Sequence, residues 1–455
     1  MAKTTFYLYR ELCPINFNIM KIINYRLLYI VLSLIICHTF ISCATDKKEF
    51  VVVYNGQFRV NGKPYYFIGT NFWYGAILGS QGQGGERDRL LRELDYLKSK
   101  GIDNLRVLIG ADGMDGTPTK VMPTLQKEPG VYNDSIFDGL DFLLAEMGKR
   151  KMYAVLYFTN SWEWSGGYSQ YLEWTGHGPA SIPSKDGWET YINYVSQYAS
   201  CEECTELLKK HITNVITRTN HYTGEKYIND PTIFSWQICN EPHAFGEKNK
   251  DSFEAWMKEI ASHIRSLDSN HLISSGSEGI AGSEFDAALY ERIHTESEID
   301  YFTLHIWPLN WGWLDARNME QELPNSIERT NQYIEEHIAL GRKHRMPVVV
   351  EEFGLPRNGR LYNLESSTSC RDTYFENIFK QIIQHSKDGD VLAGCNFWAW
   401  GGFGRATPGH TYWQAWDDYL GDPAQEEQGL NAVFNVDKTV SLIDEYTHLL
   451  GNGKP

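Results

Sequence analysis

Two short stretches of this chain carry carboxylates in a setting suited to acid–base work. Phe234–Pro242 reads Phe-Ser-Trp-Gln-Ile-Cys-Asn-Glu-Pro, an apolar run ending in an amide, a carboxylate and a helix-blocking proline. Val348–Gly354 reads Val-Val-Val-Glu-Glu-Phe-Gly, a β-branched run followed by carboxylates and a glycine turn. Each pattern predicts a buried strand that delivers a glutamate to its C-terminal rim, Glu241 in one case and Glu352 in the other. Two carboxyl groups on separate strand ends are what hydrolysis of a glycosidic bond needs. A separation of roughly 5–5.5 Å gives retention of configuration, and about 6.5–9.5 Å gives inversion.

The two roles require different surroundings. The acid must keep its proton near neutral pH, through burial or a nearby negative charge; the nucleophile must stay ionised beside cations or hydrogen-bond donors. Arg106, inside a predicted strand, is a candidate partner for Glu352, although it fits a structural ion pair equally well. Asn240 is placed to donate to a sugar 2-hydroxyl, and His305 and Trp307 to orient the nucleophile or touch the sugar. Trp398 is a candidate floor under the reacting ring; of Trp398 and Trp400, one is expected in the core. Glu351 competes with Glu352, and because strand neighbours alternate between faces, only one of them should point into the cleft.

The elements that must hold these groups follow from hydrophobic periodicity. Apolar runs at Tyr65–Asn71, Ile102–Ile109, Met152–Phe158, Phe234–Glu241, His271–Ser275, Tyr301–Ile306, Pro347–Val350 and Val391–Trp400 predict eight strands. Between them run helical patterns, such as Leu90, Leu94 and Leu97, or Phe253, Trp256, Ile260 and Ile264. A long helical region is predicted over 187–218, and Asn61-Gly62 predicts a hairpin turn before the first strand. Alternating strands and helices with polar and aromatic residues at the strand C-termini predict one (β/α)8 TIM barrel with long βα loops. The glycine- and aromatic-rich stretch 401–431 is the longest such loop and is expected to be functional.

Composition narrows the class. The chain has 455 residues and a net charge of −16, which argues against nucleic acid or anionic lipid as partner and suits a neutral polysaccharide. Aromatics reach 14%, with 14 Trp, a surplus that suits stacking on sugar rings. At the start, Lys21 and Arg26 precede an apolar run at Leu27–Ile41 and then Ser42-Cys43, which reads as a lipoprotein-type signal over residues 1–42 with Cys43 as the lipidated residue. Met20 is an alternative start, residues 43–50 a polar tether, and 51–455 the catalytic domain. Attachment to the outer membrane through the lipid, at the cell surface or in the periplasm, is the expectation, with secretion as the alternative and a monomer as the oligomeric state. Cys201 and Cys204 have a metal-like spacing but no second ligand pair, leaving a bridge or free thiols, and Cys239 and Cys395 read as core residues. No metal or cofactor is expected, since paired carboxylates suffice for the chemistry.

Asn240-Glu241-Pro242 together with Glu352-Phe353-Gly354 resembles the signatures of glycoside hydrolase family 5, in the clan of retaining (β/α)8 glycosidases. The resemblance implies Glu241 as acid/base and Glu352 as nucleophile, with Arg106, Asn240, His305 and Trp398 at other active-site positions. Finer matches resemble the endo-β-1,4-mannanase subfamily: Gly69-Thr70-Asn71-Phe72-Trp73, Phe137-Asp-Gly-Leu140-Asp141, Asp230-Pro231-Thr232-Ile233, and a third loop with Asn160, Trp162, Gly166-Gly167, Tyr171 and Trp174. These imply Trp73, Asn160 and Trp162 as substrate contacts and β-mannan, glucomannan or galactomannan as substrate. Two positions depart from the pattern: Trp307 stands where a tyrosine is usual, and His243 where an arginine is frequent. The alternatives are another β-glycanase, an exo-β-mannosidase, or a non-catalytic glycan-binding lipoprotein.

Overall fold

The β-branched and aromatic runs form strands because their side chains pack on both faces of a parallel sheet covered by helices. In the computed structural model, which describes residues 49–452, these strands are β1 (Phe67–Asn71), β2 (Asn104–Leu108), β3 (Tyr153–Asn160) and β4 (Ile233–Asn240). They continue as β5 (Leu272–Ser274), β6 (Phe302–Ile306), β7 (Val348–Phe353) and β8 (Leu392–Phe397). They pair in parallel in the order β5-β4-β3-β2-β1-β8-β7-β6, and a parallel bridge from Ser274 to Tyr301 brings the two ends together. The result is the (β/α)8 barrel expected from the pattern. The expected signal segment and Cys43 lie outside the described residues, and among those described no helix is long and apolar enough to cross a membrane.

Ahead of the barrel, a three-stranded antiparallel sheet, Val52–Tyr54, Gln57–Val60 and Lys63–Pro64, turns at Asn61-Gly62 as predicted. It inserts Phe58, fully buried, against Phe67, Phe234 and Tyr301, with ring centroids 6.5, 4.9 and 5.2 Å away. Those rings stand at the beginnings of β1, β4 and β6, so the sheet plugs the N-terminal mouth and leaves the C-terminal mouth for the loops.

Two expectations change. The helical region over 187–218 is broken into Trp188–Val195 and Glu202–Ile216 by a short 3-10 turn. The break falls where Cys201 caps the second helix, its sulfur accepting from the Cys204 N–H, and where Cys201 and Cys204 form a disulfide. The eighth strand ends at Phe397 rather than Trp400. Trp400 turns outward, fully buried, and its indole donates to Glu93 at 2.7 Å, making it the core tryptophan of the pair.

Candidate active site

Glu241 sits one residue past β4 with φ of 49°, a left-handed conformation that costs a non-glycine residue roughly 1–2 kcal/mol. Its N–H donates to the Gly276 carbonyl at 2.9 Å and its own carbonyl accepts from the Ser161 hydroxyl, so the turn is tied to both neighbouring strand ends. The carboxylate accepts from the Trp162 indole and lies 2.8 Å from His305 Nδ1.

Glu352 is reached differently. Leu304 pairs with Val350 and His305 with Glu352, leaving Glu351 as the extra residue of a β-bulge. Strict alternation is therefore interrupted and both carboxylates turn toward the barrel axis, yet only Glu352 reaches the cleft, as expected, though not for the reason of alternating faces. They are separated by depth instead. Glu351 is buried below the cavity, accepting from Gln237 Nε2 at 2.7 and 2.8 Å and lying 3.6 Å from Arg106 Nε. Glu352 lines the cavity and accepts directly from Arg106 Nη1.

Arg106 is the fixed cation of the site. Fully buried over the Tyr157 ring, it also donates to Gln237 Oε1 and Asn240 Oδ1, each at 2.7 Å, and to Asn71 Oδ1 at 3.1 Å. One carboxylate oxygen from each of Glu241 and Glu352 and one ring nitrogen of His305 all lie within 4.8 Å of one another. That proximity fits the close spacing of retention better than the wide spacing of inversion. A cation could also fit such a trio, but it would have to displace the Arg106 and Trp162 donors already engaged.

Burial pushes Glu352 up to about 7, with His305 and Arg106 opposing the rise and Glu241 adding to it. Burial alone would raise Glu241 as well, but the hydrogen bond and charge of His305, the Trp162 indole and His243 hold it below its ordinary value. Burial would depress His305; Glu352, Glu241 and Glu351 outweigh it and push the imidazole up to about 10. Two cations thus face three carboxylates, and one further proton neutralises the group. The catalytic pair titrates as a unit and holds that proton into the neutral range. Activity should therefore fall as pH rises through about 7, because the protonated form of a raised carboxyl is present below that pH and lost above it. A kcat/KM profile flat from about pH 6 to 9 would contradict this.

The remaining predicted residues fall into two groups. Trp162, Asn240, Trp307 and Trp398 line a cavity of about 450 Å³ together with Glu241 and Glu352. Trp398 and Trp307 meet edge to face, with centroids 6.0 Å apart. A Cβ at Gly354 would come within 3.1 Å of the Trp307 ring, so the glycine lets that indole lie against the end of β7. Arg106, His305, Asn160 and Trp73 do not line the cavity. Arg106 and His305 act on the carboxylates from beneath, and Asn160 Oδ1 accepts from Asn240 Nδ2 at 3.1 Å. Trp73 is a correction: its indole donates to the Gly421 carbonyl at 2.8 Å, and its ring packs 5.8 Å from Trp164, which faces the cavity in its place.

Sequence reasoning missed several lining residues. Trp188 and Glu163 complete the wall near Trp162, and Glu278, from the loop after β5, pairs with His243. On the other side stand Asn310 and Trp311 after β6, then Gln425 and Glu426 from the long loop after β8. Gln425 Oε1 and Glu426 Oε2 are buried with no hydrogen-bond partner among the described residues. Burial raises Glu426 well above its ordinary value, with Asp422, Glu352 and Glu241 adding to the rise. The length of that loop was the only signal available for them.

Comparison with known proteins agrees with this geometry. Residues 48–453 match the model of a family described as glycoside hydrolase family 5 β-mannosidase-like. Mannan endo-1,4-β-mannosidase 5 from Solanum lycopersicum is 29% identical over 364 residues, covering 78% of this chain and 81% of its own. A glycoside hydrolase family 5 mannosidase from Rhizomucor miehei superposes with a TM-score of 0.82 at 33% identity, covering 89% of this chain and 98% of its own. A complex of that mannosidase with mannosyl-fructose superposes at 0.81, with 32% identity and the same coverage.

Proposed function

Because the chain belongs to the family 5 β-mannosidase-like glycoside hydrolases, we propose that it cleaves internal β-1,4-mannosidic bonds of mannan, glucomannan or galactomannan with retention of configuration. The observation that carries this reading is the meeting of Glu241 and Glu352 at one aromatic-walled cavity, with Arg106 bonded to only one of them. The curated relatives, named as mannan endo-1,4-β-mannosidases, support the substrate class.

In the first step a Glu352 oxygen attacks the anomeric carbon as the bond to the leaving oxygen breaks, and Glu241 gives that oxygen its proton. In the second, Glu241 takes a proton from water, the resulting hydroxyl adds to the same carbon, and Glu352 is released; two inversions give retention. The pair holds a proton into the neutral range, and Glu241 must carry it for the first step. The permanent charge of Arg106 against Glu352 favours that placement within the pair. His305, 2.8 Å from Glu241 and 3.5 Å from Glu352, touches both ends of it.

A second reading, removal of single mannose units from chain ends, is favoured by Gln425 and Glu426, which wall the cavity beside Glu352. The product profile from reduced-end-labelled mannohexaose tests both. Mixed labelled dimers and trimers at early times are expected. Mannose alone would establish the exo reading, and cleavage of cello- but not manno-oligosaccharides would overturn the substrate class. From the sequence of residues 21–43 we further propose export and lipid attachment at Cys43. Metabolic labelling with a clickable fatty acid, lost in Cys43→Ser, is the expected result.

A further inference from the structure

The two-step reaction gives Glu351 no part, although it is buried beneath the cavity against the groups that serve the catalytic pair. The bulge that places it there is tied to β1 and β2. The Glu351 carbonyl accepts from Asn71 Nδ2 at 2.9 Å, and Asn71 Oδ1 accepts in turn from Arg106. The polar groups that reach the carboxylate are donors. Gln237 Nε2 donates to both of its oxygens. Arg106 Nε lies 3.6 Å from Oε2, and His305 Nε2 lies 3.7 Å from the same atom. His305 Nε2 has no hydrogen-bond partner among the described residues, so Glu351 meets it as a charge rather than as a bonded acceptor. A carboxyl approached by donors alone has the surroundings of the ionised form, which only accepts.

The two cations below are also the two above. His305 Nδ1 lies 2.8 Å from Glu241 and 3.5 Å from Glu352, and Arg106 Nη1 donates to Glu352. Two positive charges are thereby divided among three carboxylates. The other titratable groups around them leave this count unchanged. Burial pushes Tyr290 and Tyr301, which face Glu351, and Tyr157, which lies under Arg106, far above the ordinary tyrosine range, so all three stay neutral. Burial likewise holds Glu426, across the cavity, toward its neutral form, and His243 and Glu278 pair with each other. We propose that Glu351 is a positioning residue for the catalytic proton: by drawing on Arg106 and His305 from below, it leaves the Glu241–Glu352 pair one positive charge short, and a proton from solvent makes up the difference.

The role rests on the retaining reaction proposed above, in which one carboxyl of the pair must start protonated and the other ionised. Without the charge of Glu351, Arg106 and His305 balance Glu241 and Glu352, and the pair gives up its proton at lower pH. With it, the pair keeps one proton into the neutral range, in line with Glu352 standing as high as about 7. Buried charges a few ångströms apart are little screened by solvent or salt, so a carboxylate that never meets the sugar can still set this balance.

The test is the pH profile of kcat/KM on mannohexaose, a substrate with no titrating group of its own. In Glu351→Gln the alkaline limb should move down by about one pH unit or more, the size expected for removing a charge at this range. Activity at pH 8 then falls about tenfold for each unit of movement, while activity near pH 5 is largely kept. Glu351→Leu, which brings no amide against Gln237, is a second neutral variant and should shift the same way. Glu351→Asp keeps the charge and should stay close to the wild-type limb. A merely structural role would lower kcat/KM by one factor at every pH and leave the limb in place. An unmoved limb in a folded neutral variant, or an equal displacement in Glu351→Asp, overturns the assignment and leaves the mannosidase reading standing. A wild type inactive on mannohexaose at every pH overturns that reading itself.

Discussion

Glu352→Gln is expected to lower kcat on mannan by roughly 10⁴-fold or more, the scale seen when a covalent nucleophile is removed. The amide is nearly isosteric, so the cavity, Trp398 and Trp307 stay in place and manno-oligosaccharide binding should survive. Burial holds Glu352 as high as about 7, so its carboxyl is easily kept neutral in the fold, and replacing it by a neutral group should not unfold the chain. The companion Glu241→Gln removes only the proton donor and should cost less, about 10²–10⁴-fold on mannan. Its loss should shrink on an aryl mannoside whose leaving group needs no proton. Calorimetric titration with mannohexaose beside initial-rate assays checks both. Near-wild-type turnover in Glu352→Gln would remove the nucleophile assignment outright, and loss of binding as well as turnover would show that the substitution disturbs the fold.

Arg106→Gln should be the most destabilising single change at the site. Arg106 satisfies Gln237, Asn240, Asn71 and Glu352 and lies near Glu351, all buried. Removing one partner of a buried ion pair costs about 3–5 kcal/mol, because the carboxylates it leaves are uncompensated. The sign with pH follows from what remains: Glu352, already raised by burial, loses the cation that opposes the rise and favours its protonated form still more. The penalty is then smallest at low pH, where Glu352 is protonated, and grows as pH rises and ionisation is demanded of a buried group. Denaturant melts at about pH 5 and 8 should show the gap between wild type and Arg106→Gln widening at the higher pH. A surface-like effect below about 1 kcal/mol, equal at both pH values, would show that Arg106 is not the charge on which the site is built.

The fold was legible because its strands are short apolar runs bounded by polar ends, and that periodicity is a property of the sequence alone. The catalytic carboxylates were legible for the same reason, Glu241 being the first acidic group after its run and Glu352 the second, directly before Phe353-Gly354. What escaped depends on departures from period. The extra residue at Glu351 cannot be seen in Val-Val-Val-Glu-Glu-Phe, yet it turns both carboxylates inward and makes depth, not face, the difference between them. Trp73 and Trp164 exchange places because the third loop folds back over the first, a contact between residues far apart in the chain. Glu426 reaches the cavity from a loop whose path is set by Asp422 accepting from the Gly429 and Asn431 N–H groups, which no local signal announces. The break before Glu202 coincides with the Cys201–Cys204 bond, one of the outcomes their spacing left open.

The plug formed by Phe58 and its small sheet has a bearing on orientation. The chain enters the barrel at the end opposite the cavity, with Phe50 lying 4.9 Å from the His271 ring just ahead of β5. Residues 49 and 50 and the sugar-accepting mouth therefore lie at opposite ends of the barrel. A long polymer entering the mouth meets only the loops after the strands, and the small sheet that closes the other end takes no part in holding it.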